Sequence, residues 1–553
     1  MHRHILSIVA SVIVYAASMP NPLLPYGSTL IGLVSLIPLF FSIQEIDSEH
    51  LPGMGAVFGF LWSITHYYWL SNFGSFSIWT LGGVSLVYTA YYAVFFPLLG
   101  NAIKTKSPFR IFFIPAVWVS FEFLRSIGYL AFPWNLTGYS LAPILPIIQI
   151  ADVGGVFLVS YFIVLLQSLI FSTLDSYYTK QVVSTVAAHT SNQNSRALHL
   201  RTWIFWVILG VLFWGYGLYR INQQRGIEST QFLDAVLIQQ NQDSWQRGSG
   251  AAALEDIQNL TLESLQKRPM NFSSFPFPEY PWNPHVITWS ETSIPYVLNT
   301  LLRHADDIPA SKPFSQFIQE LPAPLLTGAP LNAPNSLTGP RYMNGATILS
   351  TTNDKGIVSE GQYGKRRLIP FAEHIPLAEL PFISNFLKDV VGLPSSGWAH
   401  GPDYQPLSIR HSSGRILAGT PICFEDSFSP VTRIQTILGA DLFINLTNNS
   451  WSKTIAAQTQ HLAAARFRTI ETRRPMLRST NSGVTSYIDT TGDIRFTAPM
   501  FEARGDSLRI DIQDDPVMTL HTRYGDVFSM VLIYVVWISI LLRREPTVSV
   551  DNP

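Results

Sequence analysis

The stretch GRILAGTPICFEDSF, residues 414–428, runs from a strand-like apolar segment directly into a cysteine and two carboxylates. Cys423 is the only cysteine among the 553 residues of the chain, which excludes an internal disulfide framework. A lone cysteine is more often a small buried hydrophobic residue than a nucleophile. Acids as close as Glu425 and Asp426 are unusual beside a cysteine that serves only for packing. On the thiol alone both interpretations stay open.

Further strand-like runs surround this stretch and indicate a domain built from strands and helices. They include FLDAVLIQQ, HVITWSE, NGATILST, ADLFINLTN and DSLRIDI, while residues 455–474 carry a helical pattern. Strands that alternate with helices are typical of an α/β domain. We therefore predict an α/β domain over residues 220–525.

The chain outside this domain is strongly apolar. Charged residues make up 13% of the whole chain, against about 25% in soluble domains. Eight runs almost without charge lie at residues 5–19, 28–43, 51–70, 79–103, 111–127, 153–174, 203–219 and 527–542. A span needs about 20 largely apolar residues, so several runs are full spans and the first two are short. We predict about eight transmembrane helices, and we expect that the first is not a cleaved signal peptide, because more apolar runs follow it at once.

Basic residues predict the orientation of these helices. Lys104, Lys106 and Arg110 follow the fourth run, Arg543 and Arg544 follow the eighth, and alternate loops such as SNFGSFS contain neither Lys nor Arg. Because loops rich in Lys and Arg stay in the cytoplasm, both termini are predicted to be cytoplasmic. Seven crossings then leave the α/β domain outside the cytoplasm.

The resulting division has three parts. Residues 1–219 form a membrane domain of seven transmembrane helices, residues 220–525 form the α/β domain, and residues 526–553 form a final transmembrane helix with a cytoplasmic tail. The net charge of −1 gives no indication of a polyanionic partner such as nucleic acid.

Two further motifs place ionisable groups where a strand-like run meets a loop. TWSETSIP puts Glu291 after such a run, and GKRRLIPFAEHIP puts Lys365 and Glu373 on a connection between runs. Catalytic groups often lie at these junctions because the rigid element positions the loop. A single Glu or Lys at a strand end is more often a solvated side chain. Each motif alone is therefore weak.

Together the three motifs resemble the nitrilase superfamily, whose catalytic set is Glu, Lys and Cys in this order. SETSIP is similar to its Glu motif, YGKRRLIPFAEHIP to its Lys motif and GTPICFEDSF to its Cys motif. The combination of a multi-span region, a nitrilase-like domain and a last span resembles the apolipoprotein N-acyltransferase family. The stretches LIQQNQDSW, RYMNGATIL, NLTNNSW and HTRYGD support the same resemblance. It implies that the α/β domain is a nitrilase-like αββα sandwich.

The resemblance also implies a reaction. Cys423 is expected to take an acyl chain from a phospholipid as a thioester, which the α-amino group of an S-diacylglyceryl-cysteine lipoprotein then resolves. Glu291 is the expected general base. Lys365 is expected to stabilise the oxyanion and to lower the pKa of the thiol. Glu373 and Glu425 either orient Lys365 or the base, or accept hydrogen bonds from loop N–H groups. No metal or other cofactor is implied.

Other residues are candidates for contacts with membrane lipid. Apolar residues recur every four positions in 377–393, as on one face of a helix, which fits either a core helix or an interfacial arm. Phe382 and Phe386 on this face, together with Trp245, are the predicted lipid-binding residues. The segment FRTIETRRPMLR, 467–478, is either a lipid-phosphate site or, as is more usual for clustered arginines, an intradomain helix face.

Two other functions remain as alternatives. A membrane-tethered amidase or nitrile hydrolase would use the same triad, with water resolving the thioester, whereas the spans and the apolar stripe favour a lipid substrate. A non-catalytic scaffold or transporter is less favoured, because all three triad positions are filled and most spans lack the charges of an ion pathway. The implied location is a bacterial inner membrane, with the α/β domain on the periplasmic side.

Overall fold

The computed structural model describes residues 2–107, 109–183, 192–243, 250–276, 282–304, 307, 312–334, 342–352, 356–370, 372–374, 380, 382, 385, 397–411, 414–514 and 516–542. Contacts divide the chain into two units. The first comprises Met1–His66, Gly83–Tyr216 and Tyr524–Pro553, and the second comprises Tyr67–Gly82 and Gly217–Arg523. The second unit thus includes Tyr67–Gly82, which the division drawn from the sequence leaves in the membrane domain.

The apolar runs lie in helices. These are α1 (His2–Ser18), α2 (Thr29–Gly32), α3 (Ile37–Glu45), α4 (Leu51–Tyr67), α5 (Ser77–Lys104), α6 (Arg110–Leu124), α7 (Leu145–Ile148), α8 (Ala151–Val183), α9 (Asn192–Arg225) and the later helix Val527–Leu542. Within the described residues, three segments are long and apolar enough to cross a membrane: Ser77–Lys104, Ala151–Tyr178 and Leu200–Arg225. The segments His2–Ser18, Thr29–Glu45 and Val527–Ser539 are apolar but shorter. The number of about eight spans remains a prediction.

Two charged residues near the end of α6 are buried in the first unit. Glu122 accepts hydrogen bonds from the backbone N–H and the hydroxyl of Thr137, each at 2.7 Å. Arg125 donates to the carbonyl oxygens of Phe132 and Trp134, each at 3.0 Å. A buried charge is tolerated when it is hydrogen-bonded in this way. Both residues therefore fix the connection that follows α6.

The second unit contains two mixed β-sheets. Its strands are β1 (Gln231–Gln239), β2 (Met270–Phe272), β3 (Val286–Thr288), β4 (Leu325–Asn332), β5 (Tyr342–Thr352), β6 (Gly356–Gly364), β7 (Leu407–His411), β8 (Gly414–Gly419), β9 (Leu442–Thr447), β10 (Met476–Thr480), β11 (Ser486–Ile488), β12 (Ile494–Thr497) and β13 (Arg504–Ile512). One sheet has the order β2-β13-β1-β3-β4-β5-β6, and the other has the order β12-β11-β10-β9-β8-β7. The predicted α/β class is confirmed.

The strand sequences account for the positions of the strands. LFINLT of β9 is buried at every residue and pairs in parallel with β8 and β10. A nearly continuous apolar run is what a parallel strand covered on both faces requires. The register of β9 with β10 pairs Phe443 with Met476 and Thr447 with Thr480.

Helices cover the sheets and enclose the core. They are α10 (Gly250–Leu265), α11 (Leu298–Arg303), α12 (Phe314–Glu320), α13 (Ser429–Ile437), α14 (Ile455–Thr472) and α15 (Leu520–Tyr524). The first three pack on the first sheet around an apolar cluster that includes Trp289 and Phe317. The two sheets meet through β1 and β10, where the Ser479 hydroxyl lies 3.3 Å from the carbonyl oxygens of Ile238 and Thr288.

Aromatic contacts explain why Tyr67–Gly82 belongs to the second unit. The indole N–H of Trp69 donates to the side-chain oxygen of Gln460 in α14 at 3.0 Å. The rings of Trp69 and Phe73 lie 5.2 and 4.6 Å from the ring of Trp451. This segment therefore packs against the loop between β9 and α14.

Candidate active site

The three residues predicted from separate motifs lie just beyond the carboxyl ends of strands. Lys365 directly follows β6, Glu291 follows β3 after two residues, and Cys423 follows β8 after three. The strands β3 and β6 belong to the first sheet and β8 to the second. The structure brings all three side chains into one buried cluster.

Lys365 lies between two carboxylates. Its ammonium donates to Oε1 of Glu291 at 3.1 Å and to Oε1 of Glu373 at 2.7 Å. The amide nitrogen of Asn344, in β5, donates to the same two oxygens at 2.7 and 3.3 Å. The backbone N–H of Asn448 holds the other Glu291 oxygen at 2.9 Å. Both oxygens of Glu291 are thus fixed in direction.

Asn344 and Asn448 were not among the predicted site residues. Both stand in stretches that carried the resemblance, RYMNGATIL and NLTNNSW. For Asn344 a signal existed, because a polar amide inside an apolar strand needs buried partners. Asn448 acts on Glu291 through its backbone, so its side chain gave no signal for this contact.

Close backbone contacts position the Lys365 loop. The carbonyl oxygen of Lys365 accepts from the N–H of Gly401 at 2.8 Å, and a Cβ on Gly401 would lie 1.9 Å from the carbonyl oxygen of Gly364. A side chain at position 401 would therefore force these backbones apart. Glu373 accepts from the N–H of Ile369 at 2.8 Å as well as from Lys365, so it fills both roles that the sequence left open.

The backbone at Cys423 is in a left-handed conformation. Its φ angle is +52°, and Thr292, next to Glu291, has a φ of +51°. Such values are uncommon outside glycine and cost on the order of 1–3 kcal/mol. The thiol also forms a hydrogen bond with Glu291. The strained positions therefore adjoin both the thiol and the carboxylate to which the thiol is hydrogen-bonded.

The charges around Cys423 do not favour a preformed thiolate. Burial raises the pKa of the Cys423 thiol well above its usual value, Glu291 raises it further, and the opposing effect of Lys365 is too small to reverse this. Burial also disfavours the ammonium of Lys365, but Glu291 and Glu373 outweigh it and raise the pKa of Lys365 well above its usual value. Lys365 does lower the pKa of the thiol, as expected, but burial first and the carboxylates of Glu291 and Glu373 next leave the pKa well above its usual value.

Glu425 ties the turn of Cys423 to the loop of Lys365. Its carboxylate accepts from the N–H groups of Ile422 at 2.8 Å, Arg366 at 2.7 Å and Arg367 at 2.9 Å. The hydroxyl of Tyr363 donates to it at 2.9 Å. Burial raises the pKa of Glu425 to about 7, although the three N–H groups oppose this. The sequence left two roles open for Glu425, and its contacts match the second, in which it accepts hydrogen bonds from loop N–H groups.

The predicted lipid contacts are described only in part. Phe382 is 83% exposed, so it is not a core residue in this structure. Phe386 and Trp245 lie outside the described residues, as does most of 377–393.

The arginine-rich segment forms intradomain contacts. Arg468, Arg473, Arg474 and Arg478 are buried. They donate within the second unit, to acceptors that include the carbonyl oxygens of Ser427, Thr490 and Ala440 and the carboxylate of Asp426. These contacts support the intradomain alternative over a lipid-phosphate site.

Comparison with known protein families gives a match for each of the two parts of the chain. Residues 12–169 match the family described as the apolipoprotein N-acyltransferase N-terminal domain, and residues 238–508 match the carbon-nitrogen hydrolase family. The second match is in accord with the predicted nitrilase-like domain.

Curated relatives match nearly the whole chain. Apolipoprotein N-acyltransferase 2 of Treponema denticola is 29% identical, with 97% of each chain covered. Apolipoprotein N-acyltransferase 2 of Treponema pallidum is 30% identical over 94% of this chain and 92% of its own. Apolipoprotein N-acyltransferase of Borreliella burgdorferi is 27% identical over 95% and 92%.

Proposed function

Because the chain belongs to the apolipoprotein N-acyltransferase family, we propose that it transfers an acyl chain from a phospholipid to the N-terminal α-amino group of S-diacylglyceryl-cysteine lipoproteins. The observation that carries this proposal is the buried Glu291–Lys365–Glu373 cluster beside the thiol of Cys423. Such a site supports nucleophilic catalysis through a thioester.

In the first half-reaction Glu291 takes the thiol proton as the sulfur of Cys423 attacks the ester carbonyl carbon of the phospholipid. Because the pKa of the thiol is raised, little thiolate exists beforehand, and the proton is removed by Glu291 while the sulfur attacks. The ammonium of Lys365 stabilises the oxyanion of the tetrahedral intermediate. When the ester C–O bond breaks, Glu291 returns the proton to the departing lysophospholipid oxygen.

In the second half-reaction the α-amino group attacks the thioester carbonyl carbon. Glu291 takes a proton from the amine, the C–S bond breaks, and the proton returns to the sulfur of Cys423. An α-amino group has a pKa near 8, so a useful fraction is neutral and nucleophilic at neutral pH. The product is an amide, and the enzyme is restored.

The proposed location is the bacterial inner membrane, with residues 220–525 on the periplasmic side and residues 1–219 and 526–553 holding eight spans. Both substrates are amphiphiles of one leaflet. Their confinement to the membrane that anchors the enzyme raises their effective concentration. The apolar helices of the first unit support this location.

The test is to incubate the full-length enzyme with phospholipid alone. We expect the peptide that contains Cys423 to gain the mass of one acyl chain and to lose it on treatment with hydroxylamine. A diacylglyceryl-cysteine peptide added next should receive that chain at its amino group. Cys423→Ala should take up no acyl chain, and acyl transfer by this variant at the wild-type rate would exclude the mechanism. Release of free fatty acid without peptide acylation would instead favour the amidase-type alternative.

A further inference from the structure

A second polar cluster lies behind the nucleophile and has no part in the reaction steps above. Asp426 is three residues after Cys423 and is fully buried. Its Oδ1 accepts from Nε2 of His461, in α14, at 2.6 Å, and its Oδ2 accepts from Arg478, in β10. His461 and Arg478 are also buried. None of the three is exposed to a substrate, so any effect on the reaction acts through other residues.

His461 also contacts the nucleophile itself. Its ring also lies within hydrogen-bonding reach of the backbone carbonyl oxygen of Cys423, the residue whose φ is +52°. Asn445 donates to the same carbonyl at 3.2 Å and to that of Pro421 at 3.0 Å. A left-handed residue other than glycine persists only where its surroundings determine its conformation, and these contacts supply that constraint.

The opposite side of the His461 ring is connected by hydrogen bonds to the loop that orients Glu291, the proposed general base. Nδ1 lies 3.1 Å from the amide nitrogen of Asn449, which can donate to it. Gln458 fixes Asn449 from α14, with the Asn449 amide donating to the Gln458 oxygen at 2.8 Å. The neighbouring residue, Asn448, holds Glu291 through its N–H at 2.9 Å. One imidazole therefore adjoins both the turn of the thiol and the turn that orients the base.

We propose that His461, held by Asp426, is a positioning residue that sets the thiol of Cys423 and the carboxylate of Glu291 in register for proton transfer. A buried charged network of this kind is weak evidence for stability, because replacing all of its members by apolar residues is often neutral, although removing a single partner is destabilising. The contacts of His461 indicate instead that it fixes the relative positions of the Cys423 turn and the turn that orients Glu291. The inference rests on the proposed function, since the register matters for acyl transfer.

The test compares three variants of the full-length enzyme. His461→Leu removes every polar contact of the ring. In His461→Gln the amide N–H can still donate to Asp426 while its oxygen accepts from Asn449. The matched control is His285→Leu, because this half-buried histidine precedes β3 and its Nδ1 accepts from the N–H of Asp234.

We expect His461→Leu to lower kcat for acylation of the peptide by about 10- to 100-fold, the loss expected from a small misplacement of reacting groups. KM for phospholipid should stay close to wild type, whereas the thermal unfolding midpoint should fall, because Oδ1 of the buried Asp426 loses its donor. His461→Gln should recover most of kcat, and His285→Leu should match wild type. A wild-type kcat in His461→Leu, or a loss that Gln does not relieve, would overturn the proposal.

Iodoacetamide alkylation of Cys423 separates this proposal from the proposed function, because it needs no acyl substrate. We expect slower alkylation in His461→Leu than in wild type and in His461→Gln, with all three proteins folded. If the wild-type enzyme acylates no peptide while these alkylation rates differ as expected, the acyl-transfer function fails and the positioning role stands. Equal alkylation rates would refute the positioning role.

Discussion

The pKa of a thiol that lies between an ammonium and a carboxylate depends on both charges, because the ammonium lowers it and the carboxylate raises it. At Cys423 burial, followed by the carboxylate of Glu291, raises the pKa of the thiol well above its usual value, and Lys365 only partly offsets this. The carboxylate of Glu291 raises the pKa of the thiol, and in the proposed mechanism the same carboxylate accepts the thiol proton. Removing the charge of Glu291 should therefore make the thiol more acidic and, at the same time, make acyl transfer slower.

Replacing Glu291 by Gln tests this. The amide keeps the shape of the side chain but lacks the negative charge that disfavours the thiolate, so the pH midpoint for iodoacetamide alkylation of Cys423 should move below that of wild type. Acylation by phospholipid should slow by about 10²- to 10⁴-fold, because the general base is lost. Alkylation rates against pH and single-turnover acylation are measured on the same preparations. A midpoint that rises, or an unchanged acylation rate, would contradict this account.

Glu425 predicts a pH dependence. Its pKa is raised to about 7, and only its ionised form can accept from all four of its donors. As pH falls through about 7, the carboxyl takes a proton and loses an acceptor, so acylation of Cys423 should slow on the acidic side. Phospholipid is used without acceptor peptide, because the amine titrates too. Glu425→Gln should be slow and lack this midpoint; a wild-type rate that is flat from pH 8 to 5 would exclude the role.

At the scale of elements, the site depends on backbones that pass very close together. The turn that carries Glu291 lies against β4, where the N–H of Gly328 lies 3.3 Å from the Ser290 carbonyl oxygen and the N–H of Ile294 lies 3.2 Å from that of Gly328. A Cβ at Gly328 would lie 2.5 Å from the nitrogen of Thr292 and 2.7 Å from the Cα of Glu291. The turn can therefore approach β4 only if residue 328 has no side chain.

Gly328→Ala should displace this turn. We expect a loss of about 1–3 kcal/mol in the free energy of unfolding, as for other overpacked sites. Acylation should slow by at least about tenfold, because the base moves relative to the thiol. Gly226→Ala is the matched control, since its Cβ would come no nearer than 3.4 Å to the atoms around it and should change stability by less than about 0.5 kcal/mol. Equal behaviour of the two variants would show that the close approach is unimportant.

The segment 377–393 supplies a prediction about lipid contact. Phe382 is exposed, so replacing Phe382 and Phe386 by Ser should leave thermal unfolding unchanged while turnover of vesicle-borne phospholipid falls. Turnover of a short-chain ester in solution should be retained. If the segment were instead a core helix, the double variant would lose several kcal/mol and unfold, and that result would refute an interfacial arm.

At the scale of the molecule, the distribution of Lys and Arg predicts on which side of the membrane the proposed catalytic residues lie. A reporter that is active only outside the cytoplasm should function when the chain is truncated and fused near Asp489. It should be inactive when fused after Arg544. The activity of each fusion in whole cells is the measurement, with protein amounts checked by immunoblot. The opposite pattern would reverse the proposed orientation.

The sequence by itself was enough to predict the α/β class and to single out Glu291, Lys365 and Cys423. The strand-like runs are local properties of the chain, and the three residues were singled out by the resemblance of their motifs to the nitrilase superfamily; neither requires knowing what lies across the site. The sequence could not decide the protonation of the thiol, because that depends on how many carboxylates surround Lys365 and on the depth of burial. Nor could it reveal Asn448, Gly328 or His461 as parts of the site. Their contacts join segments far apart in the chain, so only the packing of the two sheets and α14 brings them to the residues they hold.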